Sequence, residues 1–187
     1  MKLIKLLLVS AVVGVLPAHA VDMDALNSEA RGIAMNFGKS LKHELMQGMK
    51  EGGPINALDV CNTAAPQVTQ AAGKSSGWDV ARTSLKLRNA TNAPDEWEQG
   101  VLQRFEEIKM SGENIKKIEF SEIVEMDGKK TFRYMKAIPT AKPCMACHGK
   151  SIDPAVETKL QTLYPQDKAR GYVPGDIRGA FSLQKTF

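Results

Sequence analysis

The chain has 187 residues, with 25 lysines and arginines against 21 aspartates and glutamates and a formal net charge of +4. So slight an excess excludes the strongly basic face of a nucleic-acid-binding protein. A hydrophobic fraction of 43% excludes a disordered chain and is enough for the core of one domain.

Residues 1–20 read as a targeting segment. Lys2 and Lys5 make a positive start, and Leu6 to Leu16 is almost wholly apolar but too short to span a bilayer as a mature helix. Ala18-His19-Ala20 has the small-x-small form of a signal-peptidase site. The expected mature protein, residues 21–187, begins at Val21 and is exported, in a bacterium to the periplasm. It is a single domain that does not span the membrane, because no later stretch is long and apolar enough.

Leu26, Ala30, Ile33, Phe37, Leu41, Leu45 and Met49 recur at three- and four-residue steps, which predicts an amphipathic helix over residues 24–51. Gly52-Gly53 ends it and Pro54 opens a second helix to about Ala72, with Leu58, Cys61, Ala65 and Val68 on its apolar face. Gly73 to Gly77 reads as a loop, and the alternation of Ser84-Leu85-Lys86-Leu87-Arg88 as a strand. Asp95 and Glu98 form a capping box for a helix that buries Trp97, Val101, Phe105 and Ile108. Asp127-Gly128 is a hairpin turn between strands over 117–126 and 130–138. Asp153-Pro154 opens a short helix with Val156, Leu160 and Leu163 on one side, and a glycine-rich turn from Gly171 to Gly179 leads into a last strand, Ala180 to Lys185. A hairpin rules out an all-parallel sheet, so the expected class is α+β with a small antiparallel sheet.

Cys144-Met145-Ala146-Cys147-His148 carries the chemistry. Cys-x-x-Cys-His is the attachment sequence for a c-type haem. Two thiols three residues apart can each form a thioether to one haem vinyl group, and the next residue then supplies the proximal imidazole. Other uses of Cys-x-x-Cys are a redox dithiol, half a zinc site or a disulfide. A redox dithiol should open a helix after a strand, whereas Pro143 and Gly149 flank this motif and suggest a loop. Zinc needs four ligands, and no second Cys/His pair exists. The reading is therefore one covalently attached haem c per chain, through Cys144 and Cys147, with His148 on the iron.

The iron's other axial position has several candidates. The nine methionines read mostly as core fillers. His43 lies off the apolar stripe of its helix and reads as solvent-facing. Cys61 is left single in an oxidising compartment. It is either a small buried hydrophobe or a thiolate ligand, and its own chemistry leaves the two balanced. Arg82, Lys86 and Arg88 sit on or beside the expected strand. They could compensate haem propionates or simply form a solvated face. Arg88 and Asn89 are the preferred pocket residues, while Trp97 and Tyr172 read as core.

Four stretches carry a wider resemblance. They are Ala57-Leu58-Asp59-Val60-Cys61-Asn62-Thr63-Ala64-Ala65-Pro66; Arg82 to Asn89 with Asn92-Ala93-Pro94 and Trp97-Glu98; Cys144 to His148; and Leu163-Tyr164-Pro165 with Gly171-Tyr172 and Gly175 to Ala180. Over most of the mature chain the sequence resembles a bacterial family of unknown function that carries a single c-type haem on a PAS-like fold. Ala90 departs from that pattern, which has proline after Arg-Asn. The resemblance implies a PAS-like antiparallel sheet with haem c held between sheet and helices. It also implies that Cys61 is the distal ligand, giving His/Cys coordination.

On this reading the protein is a redox or diatomic-gas sensor, the analogy resting on fold, or a low-potential periplasmic electron-transfer cytochrome. Either needs a separate redox or signalling partner protein. An enzyme such as a peroxidase ranks lowest, because a cysteine on iron closes the distal face. Ferric iron favours a thiolate, so reduction is expected to loosen Cys61 and admit an external ligand. Intact-mass measurement of the exported product should place its first residue at Val21; retention of Lys2 would make the leader an anchor.

Overall fold

The computed structural model describes residues 21–187; the expected leader lies outside them. Helix α1 spans Met23–Ser76, with the Asp22 side chain accepting from the Ala25 N–H at its start. It is two arms rather than one rod. Gly52 and Gly53 leave helical geometry, and Gly53 adopts φ 68° and ψ −160°, a region open in practice to glycine alone. Pro54 then restarts the helix with no N–H to leave unpaired. At the break the arms touch: a Cβ on Gly48 would lie 2.9 Å from the Ala57 Cα, and Asn56 Nδ2 donates to the Gly48 carbonyl at 3.1 Å. The two helices expected from the sequence are these arms. The second runs further than expected, through 73–76, and Gly77 closes it with φ 73°.

Strand β1 covers Asp79–Thr83, helix α2 Glu96–Met110, strand β2 Glu119–Met126, strand β3 Lys129–Pro139 and strand β4 Ile177–Thr186. All neighbours pair antiparallel in the order β1-β4-β3-β2. The capping box of Asp95 and Glu98 and the Asp127-Gly128 turn form as expected. One strand does not. Ser84–Arg88 is bent backbone, and the first strand lies just before it. Ser84 Oγ accepts from the Lys86 N–H at 3.1 Å, a local bond that competes with a sheet ladder. Leu85, which should have faced the core, is 44% exposed.

The first arm of α1 covers one face of the sheet, where Leu26, Ala30 and Ala34 meet Trp78, Phe132, Tyr134 and Leu183. Helix α2 covers the other, where Val101, Leu102 and Phe105 meet Met135, Ala137, Ile177 and Ala180. The sheet is thus sandwiched, and the α+β class holds. Between β3 and β4 the chain makes an excursion closed at its base by Thr140. The Thr140 N–H donates to the Asp176 carbonyl at 2.8 Å, and Gly175 donates back to the Thr140 carbonyl at 3.1 Å. This excursion holds a four-residue helical turn, α3 (Met145–His148), and helix α4 (Pro154–Leu163) capped by Asp153. The Cys-x-x-Cys-His motif is therefore a compact helical turn entered through a 3-10 turn at Lys142–Cys144, not a loop. A third core cluster forms there, from Leu58 of the second arm with Cys147, Val156 and Leu160. Among the described residues no helix is long and apolar enough to cross a membrane.

The start of β4 depends on Gly179, whose φ is 157°; a Cβ there would sit 2.2 Å from the Thr83 carbonyl oxygen. Gly179→Ala should lower stability by about 3 kcal/mol and Tm by roughly 6–12 °C in a thermal melt. Gly100→Ala, on α2 with open space around it, should leave Tm equal or raise it by a few degrees.

Candidate functional site

Helical geometry puts residues three apart on one side of a turn, so Cys144 and Cys147 lie together at the start of the excursion. Both are free thiols, Cys147 buried and Cys144 half-buried. Next to them, His148 Nδ1 donates to the Ala169 carbonyl at 2.7 Å. That bond fixes the tautomer and leaves the lone pair on Nε2, the arrangement in which an imidazole serves as a metal ligand. Burial, then the charges of Arg88 and Arg178, push the His148 pKa down to about 3, so the ring is neutral. Tyr172 stands edge-on to it at 6.1 Å between centroids.

Ala169 is itself held in place. Asp167 Oδ1 accepts from the Ala169 N–H at 2.9 Å. Arg88 grips the same carboxylate at 3.2 and 3.3 Å, reaches the Ala169 carbonyl at 3.4 Å and donates to the Cys147 carbonyl. The Asp167 side chain is only 1% exposed and that of Arg88 12%. Although burial alone would raise it, the Asp167 carboxyl is held below its ordinary range, chiefly by the Arg88 cation. One guanidinium therefore ties the motif turn to the segment that aims the histidine. Backbone bonds complete the tie, with Tyr172 donating to the His148 carbonyl and Gly171 to the Gly149 carbonyl, both at 3.0 Å.

The other expected residues divide. Asn89 is turned to local work, its Oδ1 accepting from the Thr91 N–H at 3.0 Å as the cap of a 3-10 turn. Arg82 is half-buried on β1, and burial holds it below its ordinary pKa. The charged groups that act on it are Cys61 and Tyr164, with no carboxylate among them. Cys61 lies half-buried on the second arm of α1, one turn beyond Leu58, which packs on Cys147. Burial raises the Cys61 pKa, against the pull of Arg82 and then Arg88. Its charge also raises those of Cys147 and Tyr164. The fold thus brings Cys61, Arg82, Arg88 and the motif into one electrostatic neighbourhood from three separate parts of the chain. His43 is exposed.

Sequence reasoning overlooked three residues. Arg178 places its Nε 3.5 Å from His148 Nε2 while its NH1 donates to Ser84 Oγ at 3.0 Å and to the Lys86 carbonyl at 3.2 Å. Asp167 and the Ala169 carbonyl orient the ring. Asp167 and Ala169 stand in a stretch with no periodic pattern, so only the fold reveals them. Arg178 lies within the stretch Gly175 to Ala180 and could have been flagged there as a lone cation in a glycine-rich turn.

These residues fit a haem. The imidazole is neutral and oriented, and the two thiols share a turn with it. Among the described residues, Arg82 and Arg178 are cations without a bonded carboxylate. Past Leu58 the stripe of the second arm, Cys61, Ala65 and Val68, is small and only half-buried, a surface that suits a flat apolar ring. Among the described residues no group of three or more His, Cys, Asp or Glu side chains is gathered to hold a bare metal ion.

Residues 18–185 match the model of the family described as Tll0287-like. The chain belongs to the Tll0287-like family. This Tll0287-like chain is similar in fold to the structure titled "Crystal structure of the cyanobacterial heme-protein Tll0287". The TM-score is 0.62 and the identity 21%, over 89% of this chain and 97% of that one. No curated protein matches.

Removing Arg88 takes away the more sheltered of the two cations on the buried Asp167 carboxylate, leaving only the more exposed Arg170 at 3.1 Å, and frees the Cys147 and Ala169 carbonyls. Arg88→Ala should therefore lower stability by about 3–5 kcal/mol at pH 7 in urea unfolding. The sign with pH follows from the depressed Asp167 pKa. Its contribution is present above the ordinary carboxylate value of 3.8 and is lost as pH falls through the lower folded value. The gap between wild type and Arg88→Ala should therefore narrow as pH drops below about 4.

Proposed function

We propose that this protein is an exported monohaem c protein. Cys144 and Cys147 would hold the macrocycle through thioethers, and His148 and Cys61 would be the axial ligands. The observation that carries the reading is the His148 ring, neutral and fixed through Nδ1 on the Ala169 carbonyl, in the same turn as two free thiols. Membership of the Tll0287-like family and a fold like that of a protein titled a heme-protein support it. A haem supplies one-electron chemistry and, on an open face, binding of diatomic ligands. The chain's part is to hold the ring, exclude water and set the charge around it.

Cys61 is the residue on which the role turns. Arg82 and Arg88 favour its thiolate, while burial opposes it. A nearby ferric centre would tip that balance toward the thiolate, and a ferrous one less so. This favours a redox or diatomic-gas sensor, with the second arm of α1 carrying Cys61 and hinged at Gly52-Gly53. The alternative is a low-potential electron carrier in which Cys61 stays bound in both states. A PAS-like layout, periplasmic location and a separate partner protein belong to the same proposal.

Protein matured with a haem-attachment system should show the mass of the mature chain plus one haem, resistant to acid extraction. Cys144→Ser and Cys147→Ser should abolish or sharply lower it. In the holoprotein, Cys61→Ser should lose the low-spin ferric paramagnetic-resonance signal of thiolate ligation. It should also bind carbon monoxide faster on reduction and raise the potential by more than ~59 mV, tenfold in the one-electron equilibrium. A ferric spectrum unchanged by the substitution would remove Cys61 from the iron and leave the carrier reading ahead.

A further inference from the structure

A haem brings two propionates, and partly buried carboxylates need a cation that is free to meet them. The sequence offered Arg82, Arg88 and Asn89. Arg88 is committed to Asp167 and to the carbonyls of Cys147 and Ala169, and Asn89 caps a turn. Arg178 is different. Its NH1 is anchored on Ser84 Oγ and the Lys86 carbonyl, and Ser84 Oγ in turn donates to the Arg178 carbonyl at 2.8 Å. Its Nε points at His148 Nε2 from 3.5 Å, a long contact. That nitrogen has one lone pair, and the iron would require it. Among the described residues, the one carboxylate that acts on it, Asp167, is already bonded by Arg88 and Arg170. Arg178 is therefore tethered at one end, and the contact at its other end is incompatible with metal coordination.

We propose that Arg178 is the propionate-binding residue, exchanging its Nε–H contact with His148 for a haem carboxylate while NH1 stays on Ser84 and Lys86. The guanidinium holds the imidazole edge before coordination and compensates the cofactor's charge afterwards. Arg82 is left to Cys61, the first charged group that acts on it. The inference rests on the haem reading.

The test uses wild-type holoprotein beside Arg178→Gln, Arg178→Lys and Ser84→Ala, compared by intact mass, redox titration and the propionate-bending band in resonance Raman spectra. Arg178→Gln should keep covalent haem, shift that band and lower the potential by about tenfold in the one-electron equilibrium, ~59 mV. Arg178→Lys, which keeps the charge without the fork, should shift the potential less. Ser84→Ala, which loosens the tether, should move both readouts in the direction of the glutamine variant, and it decides the matter if Arg178→Gln does not accumulate. A Raman band and potential unchanged in Arg178→Gln, or in Ser84→Ala where that variant decides, would overturn the role of Arg178 alone, reducing it to a clasp between β4 and the Ser84 bend. Wild-type protein without covalent haem would overturn both readings.

Discussion

The ion pair of Arg88 and Asp167 is the constraint on which the site depends. Two nearly buried charges hold four things at once: the end of the motif turn, the Ala169 carbonyl, the Ala169 N–H and, through that residue, the His148 ring. A buried pair of this kind contributes little net stability compared with an apolar replacement, but it is costly to break. Here it gives position. The residues it joins are far apart in the chain, Arg88 before the excursion and Asp167 near its end.

The neighbourhood is unusual in its charge. Arg82, Arg88 and Arg178 converge on a region where Asp167 is the bonded anion, and burial raises the pKa of both Cys61 and Cys147. Cations without matching anions are unfavourable inside a protein unless something else supplies negative charge. Burial and the arginines thus act on the two thiols in opposite directions, burial the more strongly.

Much of the fold was legible because local rules and packing agreed. The capping box at Asp95, the Asp127-Gly128 turn and the Gly52-Gly53-Pro54 break each combine residue chemistry with a change of hydrophobic period, and each falls where expected. The strand over Ser84–Arg88 failed because its alternation came from a different cause. Ser84 bonds its own backbone neighbours and Arg178, and Leu85 faces solvent, so the pattern never described a buried face. At the candidate site, the two cysteines and the histidine of the motif stand out by type and spacing. The residues that aim them do not, since a carbonyl at Ala169 has no side-chain signature. Arg88 was singled out as a haem-pocket cation, and the fold bonds it to Asp167 and to the Cys147 and Ala169 carbonyls.

Strand β4 lies between β1 and β3 in the sheet, yet it follows every other element in the described chain. During synthesis, β2 and β3 can form their hairpin early, but β1 has no neighbour until β4 arrives. The first arm of α1 and helix α2 likewise pack in part on β4 residues such as Leu183 and Ala180. The pairing of β1 with β4 joins residues about a hundred positions apart, a high contact order that slows closure. The motif turn belongs to the excursion just before that strand. As the chain emerges, the motif turn is therefore made before Arg178 of β4 can reach it, and until the sheet closes Nε2 of His148 stands clear of that guanidinium.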